Sequence, residues 1–124
     1  MDRRAIVVPG LPKAGPYSHA VEAGGLVFLA GMIPIDESGV VVKDDVRRGT
    51  ALALDNVRKV LEAAGLGLDR VIKTTVFLRD MSDFAAMNEV YATYFTASEP
   101  ARSTVAVKDL PAGAPVEIEV VAAR

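Results

Sequence analysis

The stretch that decides the fold lies near the end of the chain, where residues 100–107 read PARSTVAV. Small and β-branched residues that follow a proline predict a β-strand, although an arginine, Arg102, stands near its beginning. Residues 115–123 read PVEIEVVAA and predict a second strand, which carries Glu117 and Glu119 among apolar residues. Because strand side chains alternate between faces, the two glutamates share one face of their strand.

Arg102 shares a strand face with Thr104 by the same alternation. One interpretation is structural: Arg102 forms a partly buried ion pair with Glu117 or Glu119 and holds an interface together. The other is functional: Arg102 binds a substrate carboxylate through a bidentate pair of N–H donors, and a partly desolvated Glu117 with a raised pKa transfers protons. Spacing alone supports the two interpretations equally.

The composition indicates one globular domain over residues 1–124, with 51% hydrophobic and 24% charged residues. The absence of cysteine excludes disulfides, thiolate metal sites and a cysteine nucleophile, and fits a reducing cytoplasm. The single histidine, His19, does not make a zinc site by itself.

Charge and hydropathy argue against nucleic-acid and membrane partners. The formal net charge of −2 offers no general attraction to phosphate backbones. The chain shows no basic and apolar leader and no run of 18 apolar residues. We therefore expect a soluble, cytoplasmic protein.

Hydrophobic periodicity predicts the element order β-β-β-α-β-α-β-β. The strands are predicted at residues 6–8, 18–23, 26–30, 71–78, 100–107 and 115–123, and the helices at 46–64 and about 82–95. Gly24-Gly25 predicts a tight hairpin, and Asp80 or Ser82 is the candidate N-cap of the second helix. This order is typical of an α+β fold, a mixed sheet with both helices on one face.

Several predicted strands are apolar on both faces. In residues 71–78, alternation places Val71, Thr75 and Phe77 opposite Ile72, Val76 and Leu78. Two helices cover only one face of the sheet, so the other face is expected to meet another copy of the chain. The clefts of such a homo-oligomer would lie between subunits.

Three further residues are ambiguous when they are considered alone. Tyr17 ends a Gly- and Pro-rich loop, where an aromatic residue is more typical of packing than of ligand contact. Gly31 ends a strand, where it favours a bulge over a close approach of another group. Asn88 lies one position round from Met87 on a helix whose aromatic stripe is typical of a core, which allows its side chain to face out of the core towards a neighbour.

Short motifs over most of the chain resemble one family. They are residues 15–17 (GPY), 30–34 (AGMIP), 55–57 (DNV), 61–65 (LEAAG), 71–78 (VIKTTVFL), 83–84 (DF), 88 (N), 100–103 (PARS) and 116–119 (VEIE). In this order and spacing they resemble the RidA-like family, also called the YjgF or reactive-intermediate deaminase family.

The resemblance implies a chorismate-mutase-like subunit and a homotrimer whose sheets face a central barrel, with clefts between subunits. It implies hydrolysis of 2-imino acids or their enamine tautomers, such as 2-iminobutanoate and 2-iminopropanoate, to 2-keto acids and ammonia. An imine carbon is already electrophilic, so no metal or organic cofactor is expected.

The resemblance also assigns roles to residues. Arg102 matches the arginine that binds the substrate carboxylate, and Glu117 matches the glutamate that activates water. Thr104 stands where many members have a cysteine whose backbone carbonyl holds that water. Tyr17 matches an aromatic residue at the pocket mouth, Gly31 a backbone approach to the substrate, and Asn88 a polar pocket residue.

Ala30 departs from the family pattern, because many active members carry a serine there. Loss of one hydroxyl contact costs about 0.5–1.5 kcal/mol, so we expect weaker binding or an altered substrate preference. Two alternatives to the enzyme remain: a non-catalytic trimer that binds small molecules or proteins in the same clefts, and an endoribonuclease or translation inhibitor. The charge and the few aromatic residues disfavour the last.

Overall fold

The computed structural model describes residues 2–124 and contains eight main elements in the predicted order. They are β1 (Arg3–Ile6), β2 (Ala20–Ala23), β3 (Leu26–Leu29), α1 (Val46–Ala63), β4 (Val71–Leu78), α2 (Phe84–Tyr94), β5 (Ala101–Ala106) and β6 (Val116–Ala123). Short 3₁₀ turns lie at Leu68–Arg70, Met81–Asp83 and Pro111–Gly113. Neither helix of residues 2–124 has the length and apolarity needed to cross a membrane.

All the strands form one mixed sheet in the order β1-β2-β3-β6-β4-β5. The β4–β5 pair is parallel and the other pairs are antiparallel. Both helices pack on one face, where fully buried side chains of α1 and β6, such as Leu54, Leu61 and Ile118, form the core. The α+β class and the arrangement of two helices on one face are confirmed.

Local sequence explains where several elements begin and end. Gly24 and Gly25 both have positive φ angles, 61° and 79°, which gives the tight β2–β3 hairpin the backbone that glycine adopts without strain. The carboxylate of Asp45 accepts a hydrogen bond from the Arg48 N–H at 3.0 Å and caps α1. Neither candidate caps α2, whose N-cap is Asp83; Asp80 instead accepts a hydrogen bond from the Ser82 N–H at 2.9 Å at the start of the preceding 3₁₀ turn.

Several predicted boundaries were wrong, among them the start of the second strand, which is Ala20 and not residue 18. The first strand covers residues 3–6 and not 6–8, because the Val8 N–H donates to Nδ1 of His19 at 2.9 Å instead of to a strand partner. The second helix begins at Phe84 and not at Ser82, because Asp80 caps a 3₁₀ turn that precedes it.

The predicted alternation of β4 was wrong at its first residues. A register shift against β6 lies between Val71 and Lys73. A bulge adds one residue to the strand and reverses the faces before it. Val71 is therefore 3% exposed and lies in the core, whereas Ile72 is 47% exposed.

The sheet face opposite the helices is uncovered in the single chain, as predicted. Phe28 of β3 is 47% exposed and Val105 of β5 is 42% exposed. Between them β6 presents Glu117 and Glu119, and β4 presents Phe77. We name this surface, from Phe28 to Val105, the open face.

Candidate active site

Glu117 and Gly31 lie in contact at the open face. The segment after β3 continues along β6 in the same direction, and there the Met32 N–H donates to the Ile118 carbonyl at 2.8 Å and the Ile118 N–H donates to the Met32 carbonyl at 3.0 Å. A Cβ atom on Gly31 would lie 2.7 Å from both Cδ and Oε2 of Glu117. Gly31 therefore allows the close approach of a carboxyl group, the alternative that its position alone did not favour.

The environment of Glu117 favours its protonated form. Partial burial raises the pKa of Glu117 above its ordinary value, and the neighbouring carboxylate of Glu119 raises this pKa further. A carboxyl group whose pKa is raised exchanges protons nearer to neutral pH than a solvated glutamate does. This agrees with the direction predicted for Glu117 from the sequence.

Gly31→Ala is expected to displace the Glu117 carboxyl group with little effect on folding. The clash involves the end of a half-buried side chain, which can rotate, so the loss of unfolding free energy should be about 1 kcal/mol, the low end for overpacking. A crystal structure of the variant and its thermal midpoint test this. An unmoved Glu117, or a variant that does not fold, would contradict it.

Tyr17 and Ala30 lie on the same side of the chain as Gly31 and Glu117. Both line a groove at the edge of the open face, together with Phe28 and Lys13. The Tyr17 ring is 43% exposed, and its hydroxyl accepts a hydrogen bond from the Ala14 N–H at 3.1 Å. Tyr17 is thus an exposed lining residue of the groove and not a core packing residue.

Arg102 lies on the other side of the sheet, over two aromatic rings of α2. Its guanidinium carbon is 4.7 Å from the centre of the Tyr91 ring and 5.6 Å from that of Phe84. The Tyr91 hydroxyl is held in turn by Thr74, with 2.7 Å between the two oxygens. Such cation–π contacts restrict the orientation of the guanidinium and leave its N–H donors at the ring edges free to bind an anion.

Sequence reasoning assigned Phe84 and Tyr91 to the core and missed this role. The available signal was the spacing of Phe84, Asn88 and Tyr91, which places them on one helix face at i, i+4 and i+7. Asn88, partly buried, therefore lies on the same stripe as the two rings under Arg102.

Thr104 follows Arg102 on the same face of β5, opposite Val76 in the register of the sheet. Its hydroxyl oxygen is buried and has no hydrogen-bond partner among residues 2–124. A buried hydroxyl without a partner costs free energy.

The structure does not bring Arg102 and Glu117 together within one chain. Glu117 is level with Phe77 on β4, whereas Arg102 is level with Thr74 and points to the opposite face. Because β4 lies between β6 and β5, the two residues are two strand spacings apart across the sheet. They are also three residues apart along the strands, and each of these separations is about 10 Å. The intrachain form of the predicted ion pair, with either Glu117 or Glu119, is therefore wrong.

The predicted site residues form two groups. The first group is Tyr17, Ala30, Gly31 and Glu117, at the open face and its edge. The second group is Asn88, Arg102 and Thr104, at the β5 edge beside α2. Within residues 2–124 no three His, Cys, Asp or Glu side chains are grouped so as to hold a metal ion.

Comparison with known proteins agrees with the fold and with the pattern of motifs. The RutC family protein of Pyrococcus horikoshii is 50% identical over 122 residues, 97% of each chain. The 2-iminobutanoate/2-iminopropanoate deaminase of Escherichia coli strain K12 is 40% identical over 125 residues, 98% of each chain. The crystal structure of E. coli TdcF with bound serine superimposes with a TM-score of 0.91 at 40% identity, over 98% of both chains.

The sequence model of a family described as Endoribonuclease L-PSP matches residues 10–124. A solved structure from Yersinia pestis, described as a member of the conserved Rid protein family, has a TM-score of 0.95 at 40% identity over 99% of this chain and 100% of that one. The chain therefore belongs to the RidA/YjgF family, whose sequence model carries the description Endoribonuclease L-PSP.

Proposed function

We propose that the protein hydrolyses reactive 2-imino acids, such as 2-iminobutanoate and 2-iminopropanoate, to 2-keto acids and ammonia. The observation that carries the proposal is the Glu117 carboxyl group, half buried against Gly31 with a raised pKa. Three relatives that are 40–42% identical to this chain carry names that describe the same reaction, which supports the proposal.

The reaction needs one group that accepts a proton in one step and donates it in another. Glu117 takes a proton from water while the water oxygen forms a bond to the imine carbon. Nitrogen receives that proton, which gives the neutral amino alcohol. Glu117 then takes the hydroxyl proton and transfers it to nitrogen as the C–N bond breaks, so that the carbonyl forms and ammonia leaves. Imine and water are thus converted to ketone and ammonia, with no change in oxidation state.

The two groups of site residues support a site between subunits. We propose a homotrimer in which the open face is covered and Arg102, Asn88 and Thr104 of one copy complete the site around Glu117 of the next. Arg102 binds the substrate carboxylate with parallel hydrogen bonds, and the backbone carbonyl of Thr104 contacts the attacking water. Exposed apolar side chains such as Phe28 and Val105 favour such an interface.

The remaining residues shape the substrate position. Tyr17 closes the mouth of the groove, Gly31 admits the substrate close to the backbone, and Asn88 offers an amide beside the carboxylate. Ala30 supplies no hydroxyl, so this chain differs from serine-bearing members in how firmly it holds small substrates.

The proposal is tested by following the decay of an imine. A threonine dehydratase generates 2-iminobutanoate, semicarbazide traps what remains, and samples with and without the protein are compared. Faster loss with the protein is expected. Equal decay over several imino acids would refute the hydrolase and favour the alternative, a small-molecule binding trimer, for which the serine-bound TdcF structure is a precedent.

Mixing two inactive variants tests the location of the site between subunits. Trimers are formed from equal amounts of Arg102→Ala and Glu117→Gln chains, by refolding or co-expression. In random trimers about a quarter of the interfaces pair an intact Arg102 with an intact Glu117, so about a quarter of the wild-type activity is expected.

Each variant alone is the control, and both should be inactive. Activity that stays absent in the mixture, while the mixed trimers are shown to form, would place both groups of each site in one chain and refute the proposal.

A further inference from the structure

The groove at the edge of the open face carries positive charge only. Its polar lining residues are Arg3, Lys13, Tyr17 and Ser18, and no acidic side chain of residues 2–124 lines it. Neither Arg3 nor Lys13 forms an ion pair within that part of the chain. Because the whole chain has a formal net charge of −2, any attraction for an anion here comes from these local cations.

Lys13 is the cation nearest to the proposed reaction. The Ala14 N–H donates to the Tyr17 hydroxyl at 3.1 Å, which holds the loop next to Lys13 against the aromatic ring. Lys13 lines the groove together with Ala30, and it also lines the adjoining pocket together with Gly31. A lysine side chain reaches about 6 Å from its Cα and rotates freely at the surface, so its ammonium group can approach a ligand beside Ala30.

Ala30 joins the groove to Glu117. By strand alternation Ala30 faces the same side of the sheet as Phe28, which is the open face. Its Cα lies about 3.8 Å from that of Gly31. A Cβ atom on Gly31 would in turn lie 2.7 Å from the Glu117 carboxyl carbon. The groove therefore begins one residue away from the Glu117 carboxyl group, and the small methyl group of Ala30 leaves room at that end.

The proposed reaction leaves one part of the substrate without a partner. Arg102 of the neighbouring copy holds the α-carboxylate and Glu117 faces the imine carbon, so the side chain of the substrate is the remaining substituent. The groove beside Ala30 offers space for it. A methyl or ethyl group ends within this space, whereas a side chain with a terminal carboxylate extends about 4 Å beyond the imine carbon and meets the Lys13 ammonium group.

We propose that the groove selects 2-imino acids whose side chain ends in a second carboxylate, such as 2-iminoglutarate, and that Lys13 binds this carboxylate. The proposal rests on the proposed function and names a substrate class for the same site. A substrate with an uncharged side chain gains nothing from Lys13, so the charge pair contributes to selectivity. Oxidation of the amino group of an acidic amino acid is the class of reaction that supplies such an imine.

A pair of substrates with the same carbon chain tests the selectivity. An L-glutamate oxidase generates 2-iminoglutarate, and an L-amino acid oxidase generates 2-iminopentanoate from norvaline, with catalase present and semicarbazide as the trap. Lys13→Gln is expected to lower kcat/KM for 2-iminoglutarate about fivefold, the upper range for an exposed charge pair, and to leave that for 2-iminopentanoate unchanged. An unchanged ratio of the two values in the folded variant would overturn the proposal.

Arg3→Gln is the matched control, because it removes the same charge from the far end of the groove. The register of β1, β2 and β3 places Arg3 four residues along the strands and two strands across from Ala30, about 13 Å and about 10 Å. This is too far for the side chain of 2-iminoglutarate, so the ratio should stay at the wild-type value. An equal loss in both variants would show general attraction of anions and would overturn the role of Lys13.

Calorimetry with the 2-keto acids tests the same contact without turnover. Lys13→Gln should weaken the binding of 2-oxoglutarate about fivefold and leave the binding of 2-oxopentanoate unchanged. If the wild-type protein hydrolyses no imine, the proposed function fails by itself. In that case a Lys13-dependent preference for 2-oxoglutarate still supports the carboxylate site in the groove, and equal binding of both keto acids to wild type and variant overturns it.

Discussion

Arg102→Ala is expected to lower kcat/KM for 2-imino acid hydrolysis about 10³-fold. The variant loses two charge-assisted hydrogen bonds to the substrate carboxylate, each worth about 1.5–3 kcal/mol, and about 1.4 kcal/mol changes a rate tenfold. The semicarbazide assay with 2-iminobutanoate gives the rate, and calorimetry with a 2-keto acid gives the loss of carboxylate binding.

Arg102→Lys is the matched control for this variant. A lysine retains the positive charge over Tyr91 and Phe84 but loses the planar pair of donors, so we expect activity between that of wild type and that of the alanine variant. Thermal midpoints should show that all three proteins fold. A folded Arg102→Ala variant with the wild-type rate would remove Arg102 from the site.

Glu117→Gln is expected to lower kcat by about 10²- to 10⁴-fold, the usual contribution of a positioned acid–base group, with a small change in KM. Glutamine has the same shape against Gly31 but cannot accept the proton of water. Single-turnover rates and the binding of a 2-keto acid separate the two effects. Binding lost together with kcat would show a structural role for Glu117 instead of proton transfer.

The raised pKa of Glu117 also predicts the pH dependence of the wild-type protein. The acid limb of its kcat/KM profile should lie above the ordinary glutamate value of 4.5, because the base form appears only as Glu117 ionises. In the folded chain this pKa exceeds that of the unfolded chain, so the associated stability is present at low pH and is lost as pH rises through the raised value. Glu117→Gln should remove this loss.

Glu119→Gln is the control on the same strand face. Glu119 is exposed and raises the pKa of Glu117 through its charge, so its removal should shift the acid limb to lower pH while kcat is retained. An unshifted limb would show that burial alone sets the pKa of Glu117. A large loss of kcat would show that Glu119 takes part in the reaction.

Much of the fold follows from the sequence because it depends on local periodicity. β4 was predicted at residues 71–78 and is observed there, and α1 ends at Ala63, one residue before the predicted end. The apolar stripe that contains Leu54, Val57 and Leu61 is buried as its spacing predicts. The open face also follows from the sequence, since two helices cover only one side of a sheet.

Predictions failed where a contact from another part of the chain overrides the local pattern. The bulge after Val71 depends on pairing with β6, and the end of β1 depends on His19, 11 residues away from Val8. Neither partner can be identified from the residues that it affects. Of the two rings under Arg102, Tyr91 is buried in the core as predicted, whereas Phe84 is 36% exposed. Their contact with Arg102 was missed because an aromatic stripe has the same spacing whether or not it supports a cation.

The sequence by itself determined the order of the elements, the family, and the candidate residues for the proposed imine hydrolysis. Only the tertiary structure decided how those residues are grouped. Alternation assigns faces within one strand, but the register of β6, β4 and β5 puts Glu117 and Arg102 on opposite faces of one sheet. Likewise, only folding brings Lys13 and Ala30 to one groove, because residues distant in sequence meet through packing that no local pattern encodes.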